Sequence, residues 1–257
     1  MNMKKTLTAL ALATFGASLA PAQNAPAPVA AAANDFAARA NISWSAKNVF
    51  RGKERSSAQG LVQAAVTLEY NVPGVSGISL YAGFFNADSI ERTYAGGIRK
   101  EFSPLTLDVG FQHLTSPTPR SLLVDGFSQL RADDEAYVGV TFQAPFKPSA
   151  YVYYSFDQQQ VTAELSAGKV IKGLGLGATG YDLEFKAYAG ISSAHEADAL
   201  AHNRNAYNYA GASLDIIREI GLGSRVGVGV NHSYNDDGYQ ATKGTDTWVR
   251  TFASFRF

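Results

Sequence analysis

The chain has 257 residues, and 22 basic residues balance 22 acidic ones, so no basic excess marks it for nucleic acid. It has no cysteine, which excludes a disulfide framework and thiolate metal sites. Only 17% of residues are charged, whereas 24 are glycine, 15 Phe and 13 Tyr, a balance that favours strands and turns.

Lys4 and Lys5 precede an apolar run from Leu7 to Leu19, followed by Ala20-Pro21-Ala22. This is the pattern of an export signal over residues 1–22, with cleavage before Gln23. The run is too short to cross a bilayer, which takes about 20 apolar residues. Losing Lys4 and Lys5 leaves 20 basic residues against 22 acidic, a net charge of −2. Residues 23–36 are Ala/Pro-rich without periodicity and read as a flexible periplasmic leader.

From residue 37 to 257 one unit repeats, about ten alternating residues and then a turn. The first strand is predicted over Arg39–Val49, with Ala40, Ile42, Trp44 and Ala46 on one face. Leu61–Tyr70 sets Val62, Ala64, Val66, Leu68 and Tyr70 against Gln63, Thr67 and Glu69. Ile78, Leu80, Ala82 and Phe84 mark the third strand, and Glu91–Glu101 the fourth. The fifth sets Leu105, Leu107, Val109 and Phe111 against Thr106, Asp108, Gly110 and Gln112. Strands six to eight centre on Val138, Val152 and Ala163. Residues 170–180, with Gly-Leu-Gly-Leu-Gly, leave the pattern and read as a turn or a strand start. They lack the spacing and the following helix of a phosphate-binding loop. Strands nine to eleven centre on Phe185, Leu214 and Val228, and the twelfth runs from Thr247 to Phe257.

No later segment has 18 consecutive apolar residues, so any membrane passage must use strands. Lipid offers no partner to an open sheet edge, so those strands must close. The fold expected is an all-β, transmembrane, antiparallel up-and-down barrel of about twelve strands. Its bacterial home is the outer membrane. The competing reading is a soluble β-sandwich, which must bury the apolar face of every strand. Outer loops are expected at Gly52–Gly60, Ser116–Asp134, Ser192–Asn205 and Asn235–Thr245. Inner turns are expected at Asn71–Gly77, Phe102–Pro104, Ala144–Pro148 and Arg218–Ser224.

The polar face carries both charges: Arg39, Lys47, Arg99, Lys186, Arg225, Arg250 and Arg256 against Glu69, Asp108, Glu135, Glu164, Asp182, Glu184 and Asp215. Such charges line a water-filled pore or pair to close a narrow one. Twelve strands lie between side-chain-filled eight-strand barrels and open sixteen-strand porins, so size does not decide. Lys47, Glu69, Arg99, Asp108, Glu164 and Arg250 are the residues predicted to line a pore. Catalysis has little to build on. His232 and Ser233 are adjacent, so a strand sends them to opposite faces. His113 lies near a strand end, and His195 and His202 share a loop with Glu196 and Asp198. A solvated loop is the commoner meaning of that cluster than a metal site. No catalytic residue, cofactor or metal is therefore expected.

Trp44 to Gly52, ending Asn48-Val49-Phe50-Arg51-Gly52, resembles the N-terminal strand motif of the TorF-type porins of proteobacteria. Leu80-Tyr81-Ala82-Gly83, Thr93-Tyr94-Ala95-Gly96, Leu107-Asp108-Val109-Gly110-Phe111 and Glu135-Ala136-Tyr137-Val138-Gly139 add shorter echoes. Ala46-Lys47-Asn48 and the stretch after Val170 depart from the family. The resemblance implies an outer-membrane barrel with a transport role, with no catalytic residues. The expectation is a porin-like channel for passive diffusion of small polar solutes, or else a closed structural or adhesion barrel acting through its loops. Its other partners would be membrane lipid, lipopolysaccharide and, through Phe257, the outer-membrane assembly machinery.

Overall fold

A computed structural model describes residues 35–54, 60–88, 90–115, 132–174, 180–194, 206–221, 223–236 and 244–257. The export signal, nearly all of the leader, His195 and His202 lie outside them. Fourteen strands are present among the described residues: β1 (Phe36–Ser45), β2 (Val49–Phe50), β3 (Lys53–Glu54), β4 (Leu61–Asn71), β5 (Ile78–Ala87), β6 (Glu91–Phe102), β7 (Leu105–Thr115), β8 (Asp133–Phe142), β9 (Ser149–Ser155), β10 (Gln160–Leu174), β11 (Tyr181–Ala194), β12 (Ala206–Gly221), β13 (Ser224–Asn235) and β14 (Gly244–Arg256).

Twelve of them form a closed barrel in sequence order, β1 and β4 to β14, each antiparallel to its neighbours. The last strand closes on the first, with Arg39 opposite Arg256 and Ser45 opposite Arg250. Closure leaves no free edge, as lipid requires. Beyond the ladder, Ala38 and Phe257 exchange backbone hydrogen bonds at 3.0 and 3.2 Å, carrying the seam to the final residue.

The two faces divide as the alternation predicts. Ile42, Leu80, Val109, Val138, Val152, Leu165, Phe185, Leu214, Val228 and Val249 all point outward and are exposed. A continuous apolar belt this broad exceeds anything a soluble monomer leaves in water. It demands a lipid surround. Aromatics flank the belt, with Phe36, Tyr70, Phe102, Phe142 and Phe255 toward the termini. Tyr94, Phe111, Tyr154 and Phe156 lie toward the other end, where Phe111 and Tyr154 both pack on Phe156. Leu165, 64% exposed, is the most open apolar side chain of the barrel strands. Leu165→Arg is expected to lower unfolding stability by about 2–4 kcal/mol in phospholipid vesicles, measured by urea titration. Gln at the neighbouring lumen-facing Glu164 is the contrast that separates lipid-face cost from interior cost.

Three expected boundaries move. Residues 170–180 do not disturb the count: β10 continues to Leu174 and β11 starts at Tyr181. The turn expected at Arg218–Ser224 is shorter, because β12 pairs with β13 out to Gly221 and Ser224. The largest correction concerns β1. It ends at Ser45, not Val49, and Gly52–Glu54, expected at the start of an exposed outer loop, belong to a hairpin that enters the barrel.

Candidate functional site

After Ser45 the chain leaves the wall. Ser45 Oγ donates to the Lys47 carbonyl at 2.7 Å, which turns the backbone inward. Val49 and Phe50 then pair with Lys53 and Glu54 in a two-stranded hairpin. Its turn residues, Arg51 and Gly52, both have positive φ, 50° and 72°. That is the backbone of a type I′ turn, and glycine adopts it without strain.

The hairpin occupies the lumen. Asn48, Val49, Phe50 and Arg51 are all buried. Rooted between β1 and β4, the hairpin reaches the far wall. There the Arg51 guanidinium donates from both Nη atoms to Glu135 on β8, at 2.7 and 2.8 Å. A fork-to-fork pair of this kind is the strongest arrangement available to arginine. Arg51 also lies over the Tyr153 ring of β9, 5.2 Å from its centroid. On a second side, Asn235 Nδ2 donates to the Gly52 carbonyl at 2.8 Å. A Cβ at position 52 would lie 2.7 Å from Tyr209 Cβ, so only glycine fits that contact.

Of the six residues predicted to line a pore, five point inward. Glu69, Arg99, Asp108, Glu164 and Arg250 are all buried inside the barrel. Lys47 lies beyond the end of β1, at the rim, bound to Glu54 at 2.9 Å and to Asp246. Partial burial disfavours its ammonium, but those two hydrogen bonds outweigh that and raise its pKa above the usual lysine value.

Each buried charge has partners along the wall. Asp108 accepts from Tyr81 at 2.6 Å, from Tyr151 at 3.2 Å and from Arg99 Nε at 3.2 Å. Arg99 covers the Tyr81 ring at 4.0 Å and lies 3.7 Å from Glu69. On the opposite side Arg250 pairs doubly with Asp215, at 3.0 and 2.6 Å, and Tyr209 donates to Glu164 at 2.8 Å. Glu184 lies 3.5 Å from Arg225 and 3.4 Å from Lys186. These pairs join strands no more than two apart in the ring. They run around the wall, not across the lumen.

Glycine makes that tangential packing possible. The Tyr151 ring lies flat against Gly139, where a Cβ would sit 2.2 Å from it, and Tyr188 lies likewise on Gly211. Charge pairing and ring packing therefore hold each side chain to its own wall. Among the described residues, the hairpin is the element that bridges the lumen. The sequence pattern predicts no such element: it runs strand one to Val49, starts an outer loop at Gly52 and gives Arg51 no role beyond the family motif. The residue signal was present: a turn-forming Arg-Gly pair after two apolar residues that a surface loop does not need.

His232 and Ser233 do diverge: His232 faces outward with Nδ1 2.8 Å from Thr247 Oγ1, while Ser233 is buried inside. His113 also faces outward, 2.7 Å from Asp134. Among the described residues no group of His, Asp and Glu is arranged to hold a metal.

No family model matches the chain, and no curated protein does. Among solved structures it is similar to LpxR from Salmonella typhimurium, at 8% identity and a TM-score of 0.48, over 84% of this chain and 99% of that one. It is also similar to OccK10 (OpdN) of Pseudomonas aeruginosa, at 13% identity and a TM-score of 0.40, over 86% and 69% of the two chains. A loop-deletion form of OmpT, an outer-membrane protein of Vibrio cholerae, gives 8% identity and 0.40, over 87% and 98%. At these values no residue role carries across.

Proposed function

We propose that the protein is a porin-like channel of the bacterial outer membrane, passing small polar solutes along its mixed-charge inner face, and that the β2–β3 hairpin closes it. One observation carries this reading. Among the described residues, the charge pairs between barrel strands run along the wall, and the contacts that bridge the lumen belong to the hairpin. A barrel evolved as a solid plug has no need of a separate stopper. The resemblance to TorF-type porins supports the same reading, because its most specific element, Phe50-Arg51-Gly52, forms the end of one arm and the turn of that hairpin.

The test is planar-bilayer conductance of two proteins, the parent chain and one with residues 48–54 replaced by a short Gly-Ser bridge. The parent is expected to be mostly silent. The bridged variant is expected to give stepwise currents that scale with salt. A bridged barrel that inserts and remains silent would sink the channel reading. It would favour the closed structural or adhesion barrel, a reading supported by the deep burial of Arg250, Asp215 and Glu184.

A further inference from the structure

Three buried polar side chains on the lumen face of β12 and β13 make no hydrogen bond within the described residues. They are Ser213 through Oγ, Asn231 through both Oδ1 and Nδ2, and Ser233 through Oγ. The three are 4%, 1% and 1% exposed. Register brings them together. Ser213 and Asn231 are direct cross-strand partners, and Ser233 follows Asn231 by two residues on the same face. Directly opposite neighbours on one face have Cβ atoms within about 5.5 Å. Trp248 of β14 stands opposite Asn231 and is also buried inside. On the other flank the Tyr188 ring lies on Gly211, the residue opposite Ser233. The patch is thus two hydroxyls and one amide between an indole and a phenol.

A buried donor or acceptor left unpaired forfeits its bond to water, so folded proteins keep few of them. The charges at the edge of the patch are already engaged: Arg250 with Asp215, Lys186 with Glu184, and Asp246 with Lys47. The hairpin reaches the patch without bonding to it. Its Gly52 carbonyl takes Asn235, two residues beyond Ser233, and Lys47 at its root takes Asp246, the residue opposite Ser233. These two contacts bracket Ser233, so the docked hairpin lies over the outer edge of the patch. A permanent stopper would sit better on apolar side chains.

We propose that this patch binds a small uncharged sugar, and that the docked hairpin covers it. Sugar hydroxyls both donate and accept, as the groups of the patch do. An oxyanion only accepts and would leave Asn231 Oδ1 unmet; a cation only donates and would leave Nδ2 unmet. Aromatic walls with a few placed polar groups suit the apolar C–H face of a sugar ring. This deepens the channel reading, on which its physiological meaning rests, by naming the solute class that passes.

Trp248 reports on the site, since Trp44→Phe leaves it the chain's one tryptophan. Fluorescence of the W44F chain in detergent is titrated with D-glucose and with D-gluconate. The same is done for W44F with the Gly-Ser bridge in place of residues 48–54. The bridged chain is expected to respond saturably to glucose and much more weakly to gluconate. The unbridged chain should bind glucose more weakly, because the docked hairpin holds the wall covered. S213A/N231A/S233A in the bridged chain should lose at least about tenfold in glucose affinity. It should be no less stable in urea, since no internal hydrogen bond goes; a structural role would lower that stability. Heat-modifiable gel mobility establishes that each variant is a closed barrel. A bridged barrel without a saturable glucose response overturns the site. So does undiminished affinity in the triple variant, equal affinity in the unbridged chain, or a preference for gluconate. Glucose binding by a bridged barrel that stays silent in bilayers supports the site and defeats the channel. Conduction without glucose binding does the reverse.

Discussion

Arg51→Ala is expected to turn a quiet barrel into one that conducts in bursts. The substitution removes both hydrogen bonds to Glu135 and leaves that carboxylate buried with Gln112, at 2.5 Å, as its remaining named donor. Stripping one partner from a buried ion pair costs about 3–5 kcal/mol. Here that cost falls on the docked hairpin, since undocking lets water reach Glu135. The docked state should therefore lose roughly two to four orders of magnitude in relative population. Single-channel recording at fixed voltage reads this as open probability. Glu135→Gln tests the same latch from the wall side. The double variant R51A/E135A should lie closer to the parent in barrel stability than either single change, because no charge is left alone. If R51A stays silent while the bridged variant conducts, Asn235 and the apolar pair Val49-Phe50 hold the hairpin, and Arg51 is not the latch.

The second large effect is structural. Arg250 and Asp215 are 1% and 0% exposed and joined by two hydrogen bonds across the intervening strand β13. Arg250→Ala leaves Asp215 charged and buried against Gly229, and about 3–5 kcal/mol of unfolding stability should go with it. Urea titration in vesicles measures the loss. R250A/D215A should recover most of it, which a role for Arg250 in contacting solute would not predict. Conductance of the bridged channel adds the contrast. A change in ion selectivity larger for R250A than for the double variant would assign Arg250 to the permeation path as well.

Much of this architecture is legible in the residues. Period-two alternation is set by strand geometry and needs no tertiary information, so the lipid and lumen faces could be assigned strand by strand. Val109 outward and Asp108 inward follow from pleat alone. Twelve strands emerged for the same reason, even beside residues 170–180, where β10 ends at Leu174 and pairs there with Tyr181 of β11. The end of β1 was not legible. Ala46-Lys47-Asn48-Val49 continues the alternation, so periodicity alone extends the strand. What ends it is the bond from Ser45 to the Lys47 carbonyl and the docking of Arg51 onto a residue 84 positions away. Contacts at that separation leave no local trace. The pairing of Arg39 with Arg256 was hidden likewise, because register between the first and last strands appears only on closure. Which acid partners which base also depends on the ring order: Arg250 with Asp215 needs β12 and β14 one strand apart.

The hairpin lies between β1 and β4 in the chain and, among the described residues, forms a sheet of its own that shares no ladder with the barrel. Its departure is therefore a local opening that leaves the wall folded. Two separate exchange regimes should coexist in one molecule. Amides of residues 49–54 would exchange with solvent deuterium at a rate set by undocking, while amides of β6 or β12 would wait for the whole cylinder to come apart. A substitution such as R51A would accelerate the first set and leave the second nearly untouched. The barrel can thus change how readily its hairpin leaves the lumen without drawing on the stability of its wall.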